Sequence, residues 1–300
     1  MADFRFRLNP RAGELPHCSA VLNGRGTRYE VAGYRTTLSI KSVVRGAARY
    51  RTPQGHYLVT PDSFLILNDG QSYSLEFEGG GRIRTETLCP FFQPGFLELA
   101  GASDLDDIDR GAPALDFCER LYPKTGAVGV ALDALHTGLR GPQASTPWLE
   151  DRMYALGRSL AGLRVQVRSE AESFPGLRPA TRMELYRRLY RGRDFLASCY
   201  DQPLTVAAAA RVAGLSPFHF QRMFKVAFGR TPMQLLQETR LQAARRLLAQ
   251  TGDEVTAICF AVGFESLGSF SWLFSKRFGV SPRAFRENRR IEEVTASALV

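Results

Sequence analysis

Two stretches near the carboxy-terminal end repeat one order of apolar and polar positions: residues 205–235, TVAAAARVAGLSPFHFQRMFKVAFGRTPMQL, and residues 254–285, EVTAICFAVGFESLGSFSWLFSKRFGVSPRAF. Each reads as an apolar helix, a glycine, a short turn and a second helix with paired phenylalanines, closed by Phe-Gly-x-[Thr/Ser]-Pro. In the first copy the apolar residues at 206, 209, 210 and 213 keep helical spacing. Gly214 suits the left-handed backbone of a tight turn, and Ser216-Pro217 reads as an N-cap followed by the first helical position. The next helix has two faces: Phe220, Phe224 and Phe228 with Met223 and Ala227 on one, and Phe218, Gln221, Arg222 and Lys225 on the other. The second copy carries a one-residue insertion in its turn and aligns Gly263, Phe270, Phe274, Phe278 and Gly279 with these positions. Its outward face is expected to hold Gly268, Ser271, Trp272 and Ser275, with Lys276 and Arg277 following. Thr231-Pro232, with Gln234 completing a capping box, opens the connecting helix, whose stripe of Leu235, Leu236, Thr239, Ala243 and Leu247 runs to about residue 250.

The N-terminal part changes period. Residues 25–90 alternate as strands do, with Leu38 and Ile40 set against Ser39 and Lys41. Phe64 to Leu67 is a continuous apolar run, Asn68-Asp69-Gly70 supplies hairpin turn chemistry, and the return strand sets Tyr73, Leu75 and Phe77 against Ser72, Ser74, Glu76 and Glu78. After a glycine turn at 79–81, Ile83, Thr85 and Thr87 resume the alternation. Short strands at near-regular spacing predict a barrel or jelly roll. From Ser145 a narrow seam of Leu149, Met153, Leu156, Leu160, Leu163 and Val167 marks helix pairing, either with a second copy or against the chain's own barrel. A segment rich in Pro and Gly then reads as a linker. The predicted organisation is α+β and multidomain: residues 1–144 a β-barrel or jelly roll with flanking helices, 145–170 a dimerisation helix, 171–181 a linker, and 182–300 an all-α domain with two helix-turn-helix units.

Charge sharpens this division. Residues 1–180 hold 21 Lys+Arg against 20 Asp+Glu, whereas residues 181–300 hold 18 against 10, so the net +9 sits almost wholly on the repeated part. A basic surface draws polyanions by long-range potential and counterion release. No apolar run is long enough to span a membrane, and the N-terminus lacks the apolar stretch of a secretory signal. The five cysteines form no C-x-x-C pair, which fits packed thiols in a reduced cytosol.

A duplicated helix-turn-helix suits duplex DNA, whose own surface repeats. The second helix of such a unit lies in the major groove and reads with its N-terminal half. Arg matches guanine O6/N7 and Gln matches adenine N6/N7, each pair discriminating by roughly 1–3 kcal/mol. Arg222 and Gln221 are therefore the expected base readers, and Lys225 and Lys276 are expected on phosphates. Trp272 offers apolar contact to a thymine methyl. The first unit is expected to carry most hydrogen-bond specificity. A connecting helix of roughly 28 Å allows both units to meet adjacent major-groove segments of one duplex. The four histidines (His17, His56, His136, His219) make no metal-binding pair, and the acidic run Asp104, Asp106, Asp107, Asp109 breaks the ligand spacing of a calcium loop at Ile108. No phosphate loop or nucleophile arrangement is visible, so neither enzyme activity nor a cofactor or metal is expected.

Five motifs carry a resemblance: Gly214-Leu215-Ser216-Pro217, His219-Phe220-Gln221-Arg222-Met223-Phe224-Lys225, Ala243-Ala244-Arg245-Arg246-Leu247-Leu248, Val262-Gly263-Phe264-Glu265-Ser266 and Phe278-Gly279-Val280-Ser281-Pro282. The segment from about 182 to 290 resembles the DNA-binding domain of the AraC/XylS family of bacterial transcription regulators. The resemblance implies base contacts at Phe218, Gln221 and Arg222, and in the second unit at Gly268, Ser269 and Trp272. An Arg often stands in the family where this chain has Trp272. The strand pattern resembles the cupin-like sensor domain that precedes the DNA-binding part in many relatives. By that resemblance the chain is a cytoplasmic, homodimeric bacterial activator. It takes operator or promoter DNA, a small-molecule effector of unknown identity and RNA polymerase as partners. Two alternatives stand beside it: a ligand-independent regulator whose barrel only dimerises or docks a partner, and a cupin enzyme fused to a DNA-binding module.

Overall fold

A computed structural model describes residues 6–9, 18–78, 83–97, 100, 117–142, 144–174 and 178–288. His17, the glycine turn at 79–81, the acidic run at 104–109, residues 175–177 of the expected linker, and Arg289 and Arg290 lie outside them. The chain divides into two compact units, Met1–Asp194 and Phe195–Val300.

Among the described residues the first unit holds ten strands: β1 Phe6–Leu8, β2 Ser19–Gly26, β3 Glu30–Arg35, β4 Ser39–Arg45, β5 Ala48–Thr52, β6 Gly55–Val59, β7 Ser63–Leu67, β8 Ser72–Phe77, β9 Thr85–Phe91 and β10 Leu121–Pro123. They form a six-stranded sheet, β1-β2-β9-β4-β7-β10, and a four-stranded sheet, β3-β8-β5-β6. One apolar cluster takes Val43, Leu65, Leu67 and Leu121 from the first sheet and Tyr50, Tyr57, Tyr73, Leu75 and Phe77 from the second, so the sheets face each other as a jelly-roll barrel. Helices α1, Ala127–Gly138, and α2, Thr146–Glu172, flank it, and α3, Pro179–Ser198, follows.

Three expectations change here. The turn at Asn68-Asp69-Gly70 is present, with Gly70 at φ 74, but β7 pairs with β4 and β10 while β8 pairs with β3 and β5. The turn therefore carries the chain from one sheet to the other and closes no hairpin. Second, β9 shows no alternation in burial, because all seven of its residues are buried. It lies between β2 and β4, and its Glu86 meets His136 Nε2 of α1 at 3.2 Å and Arg140 Nη2, just beyond that helix, at 3.1 Å. Arg25 Nη2 adds a third contact at 2.9 Å. Burial pushes the Glu86 carboxyl up, but the hydrogen bonds from His136 and Arg140 and the Arg25 charge hold it below the ordinary carboxylate value.

Third, the seam on α2 turns inward. Leu149, Met153, Leu156, Leu160 and Val167 are buried within the chain and Leu163 is half-buried. Gly157 on the same helix sits so close to Phe96, Leu97 and Ala100 that a Cβ would come within 3.0 Å of Ala100. The seam thus packs on its own unit, and these six residues do not present a free dimerisation surface. Ser145 caps α2 by accepting from Trp148 N at 3.4 Å.

The second unit holds α4 Val206–Val212, α5 Pro217–Phe228, α6 Pro232–Gln250, α7 Val255–Ala261 and α8 Leu267–Phe278, with residues 282–288 also helical. The expected capping box on α6 forms: Thr231 Oγ1 accepts from Gln234 N at 3.2 Å, and Gln234 Oε1 accepts from Thr231 N at 2.8 Å. Its burial differs from the expected stripe. Leu236, Leu241, Ala243, Ala244 and Leu248 are buried, while Leu235, Thr239 and Leu247 are only half-buried. The buried set spans more than one face because α6 packs on both α5 and α7.

Candidate nucleic-acid interface

The two repeated units share their hydrogen bonds as well as their sequence pattern. In the first, Gly214 N donates to Arg211 O at 3.0 Å and Leu215 N to Ala210 O at 2.9 Å. In the second, Gly263 N donates to Phe260 O at 3.0 Å and Phe264 N to Cys259 O at 3.1 Å. Gly214 at φ 65 and Gly263 at φ 87 take the left-handed backbone that makes this turn possible. Ser216 then caps α5 by accepting from His219 N, and Ser266 caps α8 by accepting from Ser269 N. Both helices end on a left-handed glycine, Gly229 and Gly279.

The phenylalanine stripes fix how each second helix is rolled. Phe220–Phe224 and Phe224–Phe228 have ring centroids 5.3 and 4.6 Å apart, matched by 5.7 and 4.5 Å for Phe270–Phe274 and Phe274–Phe278. Phe220, Phe224, Phe270 and Phe274 are fully buried, and burying each such ring contributes about 1.5–3 kcal/mol. With that face committed, helical geometry turns the opposite face to solvent. On α5, Phe218, Gln221, Arg222 and Lys225 are all exposed, Phe218 by 78%. That open apolar ring stands beside a guanidinium, an amide and an ammonium on one exposed face.

The outward face of α8 is poorer. Gly268, Ser269, Trp272 and Lys276 are exposed, Trp272 by 61%, and the Lys276 ammonium lies 4.8 Å from the Trp272 ring centroid. Ser271 and Ser275, expected on that face, are only half-buried toward the unit, and the Ser275 hydroxyl donates to Ser271 O at 2.8 Å. Arg277 is also engaged within the protein: its Nε meets Glu238 of α6 at 2.9 Å. Burial pushes the Glu238 carboxyl up, but hydrogen bonds from Arg277 and Gln242 hold it below its ordinary value. A third cation, Arg240 of α6, donates from Nε to Tyr200 O and from Nη2 to Gln202 O, each at 2.8 Å. These two arginines brace the spine helix against its neighbours. Sequence pattern did not single out Arg240; a cation at a half-buried position of the spine is its only signal.

The helix-turn-helix domain family matches residues 209–288. A 95-residue stretch is 43% identical to the HTH-type transcriptional activator RhaS of Escherichia fergusonii, covering 32% of this chain and 34% of that protein. A 100-residue stretch is 31% identical to the bifunctional transcriptional activator/DNA repair enzyme AdaA of Bacillus subtilis, covering 33% of this chain and 47% of that one. The chain thus spans less than half the length of these curated relatives. Among solved structures, an AraC-type transcriptional regulator of Chromobacterium violaceum is 31% identical, with 34% of this chain and 91% of that chain covered and a TM-score of 0.33. Residues 209–288 thus form a helix-turn-helix domain similar to those of AraC-type regulators.

In this helix-turn-helix unit the left-handed turn glycines, the Ser216 and Thr231 caps and the buried Phe220, Phe224, Phe270 and Phe274 fall where the sequence placed them, whereas the α6 stripe and the Ser271 and Ser275 side chains do not. In the barrel the alternation of Leu38 and Ile40 with Ser39 and Lys41 does not separate inside from outside: Ser39, Ile40 and Lys41 are all buried, and Lys41, 1% exposed, points between the two sheets. Of the other candidate residues, His56 is exposed on β6 and His136 meets Glu86. All five cysteines are buried thiols. Among the described residues no helix is long and apolar enough to cross a membrane.

Proposed function

We propose that the chain is a sequence-specific regulator of transcription that reads duplex DNA with α5 and α8. Residues 182–300 are its reading domain, and residues 1–144 form a sensor barrel for a small molecule. The observation that supports this most directly is the exposed set Phe218, Gln221, Arg222 and Lys225 opposite a fully buried aromatic stripe. Gln221 and Arg222 read base edges, Phe218 makes apolar contact, and Lys225 meets phosphate. Ser269 and Trp272 meet the groove from the second unit, and Lys276 meets phosphate. Ser271 is left with a minor share, since it is half-buried. An activating role is supported by the likeness to the activator RhaS, and RNA polymerase is the partner such a role requires.

Mapping the sites bound by the full chain across its genome tests the reading, followed by affinity measurements on base-substituted sites. Arg222→Ala is expected to lose discrimination at one base position while keeping affinity for unrelated DNA. Uniform weakening on all sequences, with discrimination intact, overturns the assignment of Arg222 as a base reader.

A further inference from the structure

A cavity of about 560 Å³ lies on the outer side of the six-stranded sheet, among β7, β10, α1 and α2. Phe64 and Tyr122 line it from the strands, on the face opposite the inward Leu65 and Leu121, so it is separate from the space between the sheets. Their rings stack with centroids 5.4 Å apart. Two glycines of the lining keep it open: a Cβ on Gly126 or Gly162 would meet nothing within 4 Å. Gly126 is also the N-cap of α1, and no side chain caps the leading amides of that helix. Such amides carry the positive end of the helix dipole. The same cavity is lined by Thr125 and by Arg158 of α2, which is exposed and in no ion pair among the described residues. Arg120, 2% exposed, lines it as well. Its Nη2 meets Glu170 at 3.2 Å, and its Nε has no hydrogen-bond partner. A buried guanidinium N–H left idle is costly. Glu170 is itself committed, accepting from Tyr186 Oη at 2.7 Å and from Gln166 Nε2 at 2.9 Å. The described lining holds no carboxylate.

We propose that this outer cavity binds a small phosphate monoester. A phosphate presents three terminal oxygens to donors that arrive from the start of α1, from the Thr125 hydroxyl and from Arg158 on α2. A planar carboxylate offers two oxygens and leaves one of those directions unmet. The volume exceeds what a bare phosphate fills and is that of a small-molecule site, so the stacked wall of Phe64 and Tyr122 receives the organic body. The lining residues all belong to the first unit. The site is distinct from the sensor barrel and does not depend on the reading of DNA by α5 and α8.

The test uses the full chain with phenyl phosphate and AMP as probes, and benzoate and adenosine as controls. Calorimetry reads affinity, and hydrogen exchange by mass spectrometry locates the site. The expected result is that at least one ester binds about tenfold to hundredfold more tightly than its control and slows exchange at the start of α1 and the middle of α2. Arg158→Gln is expected to weaken that binding about tenfold. Gly162→Met fills the open space, leaves every charge in place and is expected to abolish it. Both positions are exposed on a helix, and unchanged denaturation midpoints verify that the variants fold. Absence of ester binding at millimolar concentration, equal binding of ester and control, or unchanged affinity in either variant overturns the proposal. Protection confined to the reading helices α5 and α8 marks a nonspecific anion contact and overturns it too. DNA binding is measured on the same samples. Its failure refutes the regulator reading without touching this site, and failure of ester binding with intact DNA binding refutes this site alone.

Discussion

Replacing Gly263 by Ala tests the turn on which the second reading unit depends. The residue sits at φ 87, and an L side chain in that region costs about 1–2 kcal/mol. The added methyl also lacks room: it lands 2.8 Å from Tyr200 O and 3.0 Å from the Nε and Cζ of Arg240. Those are the two partners of one hydrogen bond, Arg240 Nε to Tyr200 O at 2.8 Å, and Arg240 Nη2 holds Gln202 O at 2.8 Å as well. Relieving the clash pushes the guanidinium or the backbone carbonyl aside, and losing a charge-assisted bond of this kind costs roughly 1.5–3 kcal/mol. The second bond is solvent-exposed and adds little. The expected loss for Gly263→Ala is therefore about 3–5 kcal/mol. Gly229, at φ 68 with nothing within 4 Å of a Cβ, carries only the backbone cost, about 1–2 kcal/mol. Hydrogen exchange by mass spectrometry on the full chain reads the opening free energy of peptides from α6 to α8 in both variants. Equal losses in the two would show that Arg240 does not brace the turn, and the packing account of the second unit would fail with it.

Four further outcomes follow. Phe224→Ala and Phe274→Ala remove fully buried rings from equivalent places, and each is expected to cost about 3–5 kcal/mol in chemical denaturation; a large difference between them contradicts the equivalence of the two units. Lys225→Ala is expected to weaken binding on all DNA sequences and reduce the slope of log affinity against log salt by about one contact's worth, roughly 0.9, in fluorescence titrations. Trp272→Ala is expected to lose less base discrimination than Arg222→Ala, and the reverse order rejects the ranking of the two units. Asp194, 1% exposed, accepts from Leu121 N at 2.7 Å, and burial raises its pKa from 3.8 to about 6. A raised carboxyl binds its proton more tightly in the folded chain, so its contribution to stability is present below about pH 4 and is lost as pH rises through about 6. Asp194→Asn keeps an acceptor for Leu121 N and is expected to flatten stability across that window; an unchanged slope in denaturation midpoints assigns the pH dependence elsewhere.

The carboxy-terminal unit was legible because its signals are local. Turn, cap and stripe lie within a dozen residues of one another, and each has one physical solution: a left-handed glycine, a serine accepting from the third amide beyond it, phenylalanines one helical turn apart. The spine helix was harder to read. Leu241 and Ala244 became buried because α6 packs on two neighbours, and no periodicity within α6 announces a second partner. The barrel was legible as strands but not as sheets. Asn68-Asp69-Gly70 has the composition of a hairpin turn, yet sheet membership of β7 and β8 is decided by β4, β10, β3 and β5, which lie elsewhere in the chain. The burial of Lys41 was not legible for a related reason. The alternation of Leu38, Ser39, Ile40 and Lys41 is real, but both faces of β4 are covered, so alternation of polarity could not tell inside from outside.

The same distinction between covered and free faces explains why two copies of one unit can serve unlike roles. Burial dictates the phenylalanines, the turn glycines and the N-capping serines, because each copy must close the same small core. Nothing in that core constrains Gln221 and Arg222 on α5 or Ser269 and Trp272 on α8, all of which are exposed. Hydrogen-bonding capacity is accordingly uneven: α5 offers a guanidinium and an amide near its N-terminal end, whereas α8 offers an indole with an ammonium lying over it and has its nearest arginine, Arg277, tied to Glu238. A guanidinium or an amide matches a particular base by two directed bonds, whereas an indole and a stacked cation engage any sequence that presents a methyl or a phosphate. The expected division of labour is one unit that sets the address and one that lengthens the grip, both held in register by the arginines that brace α6.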